Sequence, residues 1–395
     1  MHCLWVVPKP LFPIQDGARK ANNALLDPIR KYFTQLDILF FDDQLENQDL
    51  NPYIEQFKAN QIHVLRHYQT NIKLLKICTT ILSFIIAPRT ALTASNFKSR
   101  KNISMVKSIL LKNNYDVIIF DGLHPYICFE NLDLGKKKII YRAHNVEHQL
   151  WSSAAERTSS LIWKKFLLWQ GRAMAYLETL LLKRSSKVWA ISQDDLNEFS
   201  KIISTEKCLL VGAGMDFNDR VKRQLPSEEK VQLMFLGKLD WAPNTDGLNW
   251  FLKEIWPELV PGRFHLNIVG GGHFQCSLQC LEDKSITFHG FVKDLNPFFS
   301  ESHLGIVPIR FGSGTRIKVI ECVSKGLPLM STSMGVQGSG LTLNDYFHAD
   351  SSQEWIYKLN HLDVKLLEQK SISAYQCLLS LYDKDTLAKF AFDSI

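Results

Sequence analysis

The chain has 395 residues, which is too many for one ordinary hydrophobic core and suits two domains of nearly equal size. Hydrophobic residues make up 46% and charged residues 22%, and this ordinary globular composition excludes a largely disordered chain. The formal net charge of +6 is unevenly distributed along the sequence.

The first residues form a short apolar run that ends at Pro8, with no basic leader and no small-residue cleavage site. This pattern argues against a signal peptide. The eight cysteines contain no CxxC pair, which favours a reduced, cytoplasmic protein. Cys276 and Cys280 lie four residues apart, but no second pair follows at zinc-finger spacing, so we expect no metal site.

A basic segment lies between Glu55 and Asp116, where the sequence has ten lysines or arginines and no acid. The rest of the chain is therefore net −4. The segment is either a solvated helix face or the binding surface for an anionic partner: a membrane, a lipid phosphate or nucleic acid. Within it, Ile77 to Ala87 is apolar nearly all round and too short to span a bilayer, so it is a buried helix or an interfacial one.

Short apolar runs alternate with helical stretches in both halves of the chain, which predicts two doubly wound α/β domains with parallel sheets. We expect an N-terminal acceptor-binding domain over 1–205, a donor-binding domain over 206–375 and a C-terminal helix over 376–395 that packs on the N-terminal domain. The predicted strands are Cys3 to Val7, Leu36 to Phe41, Val117 to Asp121, Lys138 to Arg142, Val188 to Ser192, Val231 to Gly237, Phe264 to Gly270, Ile286 to Gly290, Leu304 to Pro308 and Leu327 to Thr332.

A ligand of two such domains is expected in the cleft between them, beyond the carboxyl ends of the strands. The run PIRFGSGTRIKVIECVSKGLPLMSTSMGVQG begins at such an end. Its small residues let a ligand approach the backbone, and Thr315 is expected to open a helix that carries two cations. Helix amides and cations suit a diphosphate, and a carboxylate one turn later suits a ribose diol. The residues concerned are Gly312, Ser313, Gly314, Thr315, Arg316, Lys318 and Glu321.

This segment resembles the signature of family-four glycosyltransferases (GT-B fold), in the subgroup with a GSGTRIK-x-x-E pattern. Other segments agree with the family in the expected order. They are PLFPIQDGARKANNALL at 10–26, YRAHNVEH at 141–148, LMFLGKLDWAPNTDGLNWF at 233–251, LNIVGGG at 266–272 and ITFHGFVKDL at 286–295. The resemblance covers almost the whole chain, and five motifs in order are more specific than one.

The resemblance implies a role for each matching residue. Gly17 lets the first loop approach the donor diphosphate, unless it is a plain turn glycine, and His144 lies near the transferred sugar. Arg316 and Lys318 neutralise the departing diphosphate, and Lys238 is a second-rank phosphate ligand. Ser313, Gly314 and Thr315 belong to the donor-binding loop. Glu321 holds the ribose. Phe291 and Val292 meet the base, with plain strand-end packing as the alternative.

Two departures from the broader family concern the donor site. Ser313 stands eight residues before Glu321, where many relatives have a first glutamate, and Asn244 stands where many have a lysine. The subgroup pattern implies that Arg316 and Lys318 replace the lost cation. Without this carboxylate, the sequence does not show which group binds the sugar hydroxyls, and the identity of the donor sugar stays open.

The implied reaction moves a sugar, with retention, from a nucleoside diphosphate to a hydroxyl of a glycan or lipid-linked acceptor, as in polysaccharide synthesis. No carboxylate pair with glycosidase-like spacing is visible, so the sequence gives no support for a covalent intermediate. No DxD motif lies at a suitable strand end, since we place Asp42-Asp43 and Asp194-Asp195 at helix starts. We therefore expect no cofactor and no metal, and a cytoplasmic protein that attaches peripherally to an anionic membrane.

Three rival readings remain. The Ser313 and Asn244 departures allow a catalytically degenerate subunit that supports an active partner. The basic segment allows a nucleic-acid-binding protein, but no recognised nucleic-acid motif accompanies it, and we expect no such partner. A dehydrogenase is weaker, because the run from Gly270 to Gln275 lacks the GxGxxG spacing.

Overall fold

A computed structural model describes residues 1–14, 17–43, 49–68, 91–156, 158–221, 230–274, 282–312 and 316–395, without the side chains of 17 and 18. The chain divides into two compact units, one formed by Met1–Gly214 with Asp385–Ile395 and the other by Met215–Lys384. The change of unit thus follows Gly214 rather than residue 205. The chain returns to the first unit at Asp385, later than the expected boundary at 375.

The first unit contains a seven-stranded sheet in the order β3-β2-β1-β4-β5-β6-β7, in which all pairs are parallel. Alternate residues of the interior strand β1 pack on opposite faces, so that Leu4 and Val6 join one core and Trp5 the other. Burial on both faces explains the near-continuous apolar runs. The strands are β1 (His2–Val7), β2 (Gln35–Asp42), β3 (Gln61–Arg66), β4 (Val117–Asp121), β5 (Lys138–Ala143), β6 (Lys187–Ala190) and β7 (Cys208–Leu210).

Helices cover both faces of this sheet. They are α1 (Gly17–Ile29), α2 (Asn51–Phe57), α3 (Leu92–Ser95), α4 (Arg100–Lys112), α5 (Glu147–Glu156), α6 (Leu161–Arg184) and α7 (Gln193–Phe199). The C-terminal residues belong to the same unit, since Ala388 and Ala391 join the core that contains Trp5. Phe392 stacks on Tyr32 at 5.1 Å between ring centroids. The segment Ile77 to Ala87 lies outside the described residues.

The second unit contains a six-stranded parallel sheet in the order β10-β9-β8-β11-β12-β13. Its strands are β8 (Val231–Leu236), β9 (Phe264–Val269), β10 (Ile286–Gly290), β11 (Leu304–Val307), β12 (Leu329–Ser331) and β13 (Phe347–His348). Its helices are α8 (Ala242–Trp250), α9 (Asn296–Glu301), α10 (Ile317–Ser324), α11 (Ser333–Val336), α12 (Ser352–Asn360) and α13 (Val364–Tyr382), and α14 (Lys384–Asp393) follows.

The predicted fold class is confirmed, because each unit has the crossed strand order of a doubly wound sheet. All ten predicted strands are present within two residues at each end. Three strands were not predicted: β3, whose residues are mostly half-exposed, and the short edge strands β7 and β13. Parallel strands bring their carboxyl ends to one edge of each sheet, and the residues with predicted roles follow those ends.

Candidate functional site

Glycines at the carboxyl edge of the second sheet allow neighbouring backbone segments to lie close together. β8 and β9 end side by side, and the loop after each begins with a glycine. A Cβ atom on Gly270 would lie 1.8 Å from the carbonyl oxygen of Gly237, so no larger residue fits. In α8, a Cβ atom on Gly247 would lie 2.2 Å from the carbonyl oxygen of Pro308. Because these positions are glycines, the loops after β8 and β9 can lie against each other, and α8 can lie against the backbone after β11.

Arg316 lies just before α10. The prediction that Arg316 belongs to a helix opened by Thr315 is therefore wrong. The backbone of Arg316 is extended, with φ −83° and ψ 92°, so the helix begins at Ile317. The side chain of Arg316 is buried, and its guanidinium lies 5.6 Å from the ring centroid of Trp241. A Cβ atom on Gly312 would lie 2.9 Å from Arg316 Nη2, so the glycine makes room for this cation.

The amine of Lys318 donates a hydrogen bond to a neutral side-chain amide. Nζ donates to Oδ1 of Asn244 at 2.7 Å and lies 4.8 Å from the ring centroid of Phe235. The Asn244 amide in turn donates to the carbonyl oxygen of Lys238 at 2.8 Å. Burial lowers the pKa of the Lys318 amine to about 7, and the positive charge of Arg316 adds to the lowering. A bound anion would raise the pKa of Lys318 again, because negative charge nearby favours the protonated amine.

The other donor-side residues occupy the same edge of the sheet. Lys238 follows β8 and is exposed, and its amine lies 3.2 Å from the Asp240 carboxylate. Phe291 follows β10 with 65% of its surface exposed, whereas Val292 packs against the core. The structure therefore favours the packing alternative for Val292 and leaves Phe291 open to a ligand.

Glu321 lies on α10, three residues after Lys318, and is half-buried. Its spacing of three residues from Lys318 and four from Lys325 would suit ordinary ion pairs along a helix. The amine of Lys318 instead bonds Asn244, and that of Lys325 lies 2.6 Å from the Asp219 carboxylate. Ser313, Gly314 and Thr315 lie outside the described residues.

His144 follows β5 in the first unit and is held by a buried carboxylate. Its Nε2 lies 2.6 Å from Oδ1 of Asp121, which ends β4. The Asp121 carboxylate also accepts hydrogen bonds from the indole of Trp5 and from the fully buried guanidinium of Arg142. Burial alone would raise the pKa of Asp121, but Arg142, His144 and the hydrogen bonds hold it below the usual value.

This network ties three strands and a helix together, because Arg142 also donates to Asn22 and to the carbonyl oxygen of Ala21 in α1. The sequence analysis missed Asp121 and Arg142. Two signals could have revealed them: an acid at the end of an apolar strand, and an arginine inside one, which needs a buried partner.

Gly17 is the first residue of α1, the helix that follows β1. Beside the carboxyl ends of β1 to β4, the first unit has a cavity of about 480 Å³. Its lining includes Asp42 and Asp43, which corrects their assignment to a helix start, since Asp42 ends β2. The other lining residues are Pro8, Lys9, Pro10, Arg19, Phe41, His67, Thr93, Asn96, Phe97 and His124.

Most of the cavity lining can exchange hydrogen bonds with a polar ligand. Burial lowers the pKa of His124 to about 4 and also lowers that of His67, so both rings are neutral near pH 7. Neutral imidazoles, amides and carboxylates are the groups that bind hydroxyls. Within the ranges that the structure describes, no three His, Cys, Asp or Glu side chains are placed to share a metal ion.

The two units have the architecture of the GT-B glycosyltransferases. The solved structure of HepE from Anabaena with UDP is 14% identical and aligns over 100% of this chain and 99% of HepE, with a TM-score of 0.69. WaaG, a glycosyltransferase involved in lipopolysaccharide biosynthesis, is 14% identical over 99% of this chain and 98% of its own, with a TM-score of 0.65. At these identities the likeness establishes the GT-B fold.

Residues 230–362, which lie within the second unit, match the profile of the family "glycosyl transferases group 1". A 44.6 kDa protein from the cps region of Klebsiella pneumoniae is 21% identical over 250 residues. That alignment covers 61% of this chain and 63% of the Klebsiella protein, so it spans less than two thirds of the relative.

Replacing Asp121 tests the buried network. Asp121→Ala leaves the Arg142 guanidinium buried without its carboxylate, and we expect the free energy of unfolding to fall by about 3–5 kcal/mol. Asp116→Ala serves as the control, because this carboxylate accepts one exposed hydrogen bond from the backbone of His2 and should cost about 1 kcal/mol. Urea unfolding followed by circular dichroism measures both. Equal losses in the two variants would contradict the proposed role.

Proposed function

We propose that the protein is a retaining glycosyltransferase that moves a hexose from a nucleoside diphosphate sugar to a hydroxyl of a glycan or lipid-linked acceptor. The observation that carries the proposal is the pair of cations at the start of α10, within the residues that match the profile of glycosyl transferases group 1. Arg316 is buried, and the amine of Lys318 is held by the neutral amide of Asn244 rather than by a carboxylate. Among the described residues, Lys318 thus has no carboxylate to compensate its charge and can offer it to a diphosphate.

The donor is arranged along the carboxyl edge of the second sheet. In this arrangement Phe291 contacts the base, Glu321 accepts hydrogen bonds from the ribose and the cations hold the diphosphate, with Lys238 at the exposed side. HepE has been crystallised with UDP and with UDP-glucose, so these are the first ligands to test here. Position 313 is a serine, and the hexose itself is therefore held without the first glutamate of many relatives.

The acceptor occupies the cavity in the first unit. Its volume of about 480 Å³ suits one sugar residue or a comparable polar group, and its lining offers neutral rings and carboxylates to hydroxyls. The relative in the Klebsiella cps region supports a role in capsular or other cell-surface polysaccharide synthesis. We place the protein at the cytoplasmic face of the membrane, where a lipid-linked acceptor would be accessible.

Catalysis rests on charge. As the bond between sugar and phosphate breaks, negative charge grows on the leaving diphosphate, and Arg316, Lys318 and the amides at the start of α10 stabilise it. The departing phosphate takes the proton of the acceptor hydroxyl on the same face, which gives retention without a covalent intermediate. Protein cations do the work of a metal, and no cofactor takes part.

His144 contributes positioning in the first unit. Asp121 fixes the ring through Nε2, so Nδ1 is the nitrogen left to meet a hydroxyl of the sugar. A group fixed in advance lowers the ordering cost of the transition state. Gly17, at the start of α1, lets backbone amides approach the donor.

The second candidate function is a catalytically degenerate subunit, which the serine at 313 and Asn244 both favour. Such a protein would bind its partner and no longer transfer sugar. Thermal stabilisation by a panel of nucleoside diphosphate sugars, followed by assays of donor hydrolysis and transfer with the purified chain, separates the two. Turnover rules out the degenerate subunit, and stabilisation by no member of the panel contradicts donor binding.

Metal independence is the first expected property of the enzyme. Transfer should continue in excess chelator. The double variant Arg316→Ala/Lys318→Ala should lower kcat by a larger factor than it raises KM for the donor, because these cations stabilise negative charge that grows in the transition state. Arg310→Ala is the control, since this exposed arginine pairs with Asp246 at 2.7 Å. Activity abolished by chelator and restored by manganese would contradict the mechanism.

Donor affinity should depend on pH through Lys318. The amine has a pKa of about 7 in the free protein, and the diphosphate raises it, so binding takes up a proton above pH 7. Affinity is therefore greatest below pH 7 and should fall about tenfold between pH 6.5 and 8.5. Calorimetric titration measures the change.

Lys318→Arg is the matched variant for this pH dependence, because arginine keeps its charge throughout the range. Its profile should be flat, and titrations in buffers of different ionisation enthalpy should show proton uptake only in the unchanged protein. An equally steep fall in Lys318→Arg would assign the titration to a group other than Lys318.

Glu321 and Ser313 should differ in their effect on donor affinity. Glu321→Ala leaves two ribose hydroxyls unpaired, and the loss of such charge-assisted hydrogen bonds should weaken binding about tenfold or more. Ser313→Ala removes one neutral hydroxyl and should weaken it about threefold or less. Calorimetry of both variants, with folding checked by circular dichroism, decides the matter, and unchanged affinity in Glu321→Ala removes that residue from the site.

A further inference from the structure

The N-terminal part of α6 exposes an unusual amount of apolar surface. The helix has 24 residues and is about 36 Å long, but its buried side chains begin only at Gln170. Leu161, Ile162 and Trp163 are 75%, 83% and 59% exposed. Such residues are normally exposed singly, and a contiguous group of them marks an interaction surface.

The residues that follow extend the same surface. Phe166 lies edge-on to Trp163, with ring centroids 5.3 Å apart, and Trp169 follows at 5.8 Å from Phe166. Leu168 is also exposed, and every side chain from 161 to 169, a fully described stretch, keeps some contact with solvent. We call this stretch, LIWKKFLLW, the α6 tip.

The charges around the α6 tip have one sign. Between Glu156 and Glu178 the sequence has four lysines or arginines and no acid, and Lys164 and Lys165 are both exposed within the tip itself. Lysines are depleted from the centres of protein interfaces. Tryptophan, leucine and isoleucine next to lysine are instead typical of helices that lie in the headgroup region of a membrane.

We propose that the α6 tip is the surface by which the protein docks on an anionic lipid bilayer. Leu161, Ile162 and Trp163 enter the boundary between headgroups and acyl chains, and Lys164 and Lys165 contact the lipid phosphates. No helix within the described ranges is long and apolar enough to cross a bilayer, and the contact is therefore an interfacial one. It rests on the proposed function only in its purpose, which is access to a lipid-linked acceptor.

The surface differs from the basic segment between Glu55 and Asp116, and the two can be separated by mutation. Leu161→Gln/Ile162→Gln/Trp163→Gln removes the apolar contact, and Lys164→Gln/Lys165→Gln removes the charges. The charge control is Arg100→Gln/Lys101→Gln/Lys107→Gln on α4, and the apolar control is Leu343→Gln/Tyr357→Gln, each 64% exposed in the second unit. Glutamine keeps helix propensity, and thermal unfolding checks that each variant folds.

The experiment is co-sedimentation of the full chain with phosphatidylcholine vesicles, with and without phosphatidylglycerol. We expect the apolar triple variant to bind anionic vesicles at least about tenfold more weakly. The lysine pair should lose about fivefold per lysine in low salt, with both controls unchanged. Loss in the α4 variant with retention in both α6 variants would overturn the proposal.

The other occupant of such a surface is a second copy of the chain. A protein that sediments as a dimer, becomes a monomer in the apolar triple variant and binds no vesicles would overturn membrane docking. Donor binding is measured on the same variants by thermal stabilisation. If no nucleotide sugar stabilises any of them while vesicle binding follows the α6 tip, the proposed function fails and the docking surface stands.

Discussion

The amine of Lys318 in the second unit is partly buried, and no carboxylate in the described part of the chain compensates its positive charge. Lys318 gives its amine to Asn244, and an amide oxygen compensates a cation far less than an anion does. The arrangement is therefore unfavourable in the free protein and improves when a ligand brings negative charge. Many relatives in the resemblance have a lysine at position 244. Here position 244 is an asparagine, and its side-chain oxygen accepts a hydrogen bond from Lys318 on α10.

The first unit shows the opposite solution for a buried charge. Arg142 is fully buried, but Asp121 faces it, and Asn22 and the carbonyl oxygen of Ala21 also accept hydrogen bonds from its guanidinium. The indole of Trp5 donates to the same Asp121 carboxylate. A pair satisfied in this way has little to gain from an outside anion. It fixes strands and the ring of His144 in place. The first unit thus pairs its buried cation with a carboxylate, whereas the second unit places the Lys318 amine against a neutral amide.

The positions of ten strands along the chain, and the sheet edges at which the predicted site residues lie, followed from the sequence because apolar runs and the glycines after them are local signals. Asp121 and Arg142 were missed because each is explained only by its hydrogen bond to the other, across 21 residues of sequence. The bond between Lys318 and Asn244 spans 74 residues and has no local signal either. Asp42 and Asp43 were misassigned because two adjacent acids follow a strand as readily as they begin a helix.

The return of the chain to the first unit at Asp385 has a consequence for synthesis. Chains fold as they leave the ribosome, and domains generally form as units once all their residues have emerged. The second unit is continuous and can close as soon as Lys384 appears. The first unit lacks Ala388, Ala391 and the aromatic contact of Phe392 until residues 385–395 are made. The half of the protein that is synthesised first is therefore the half that is completed last.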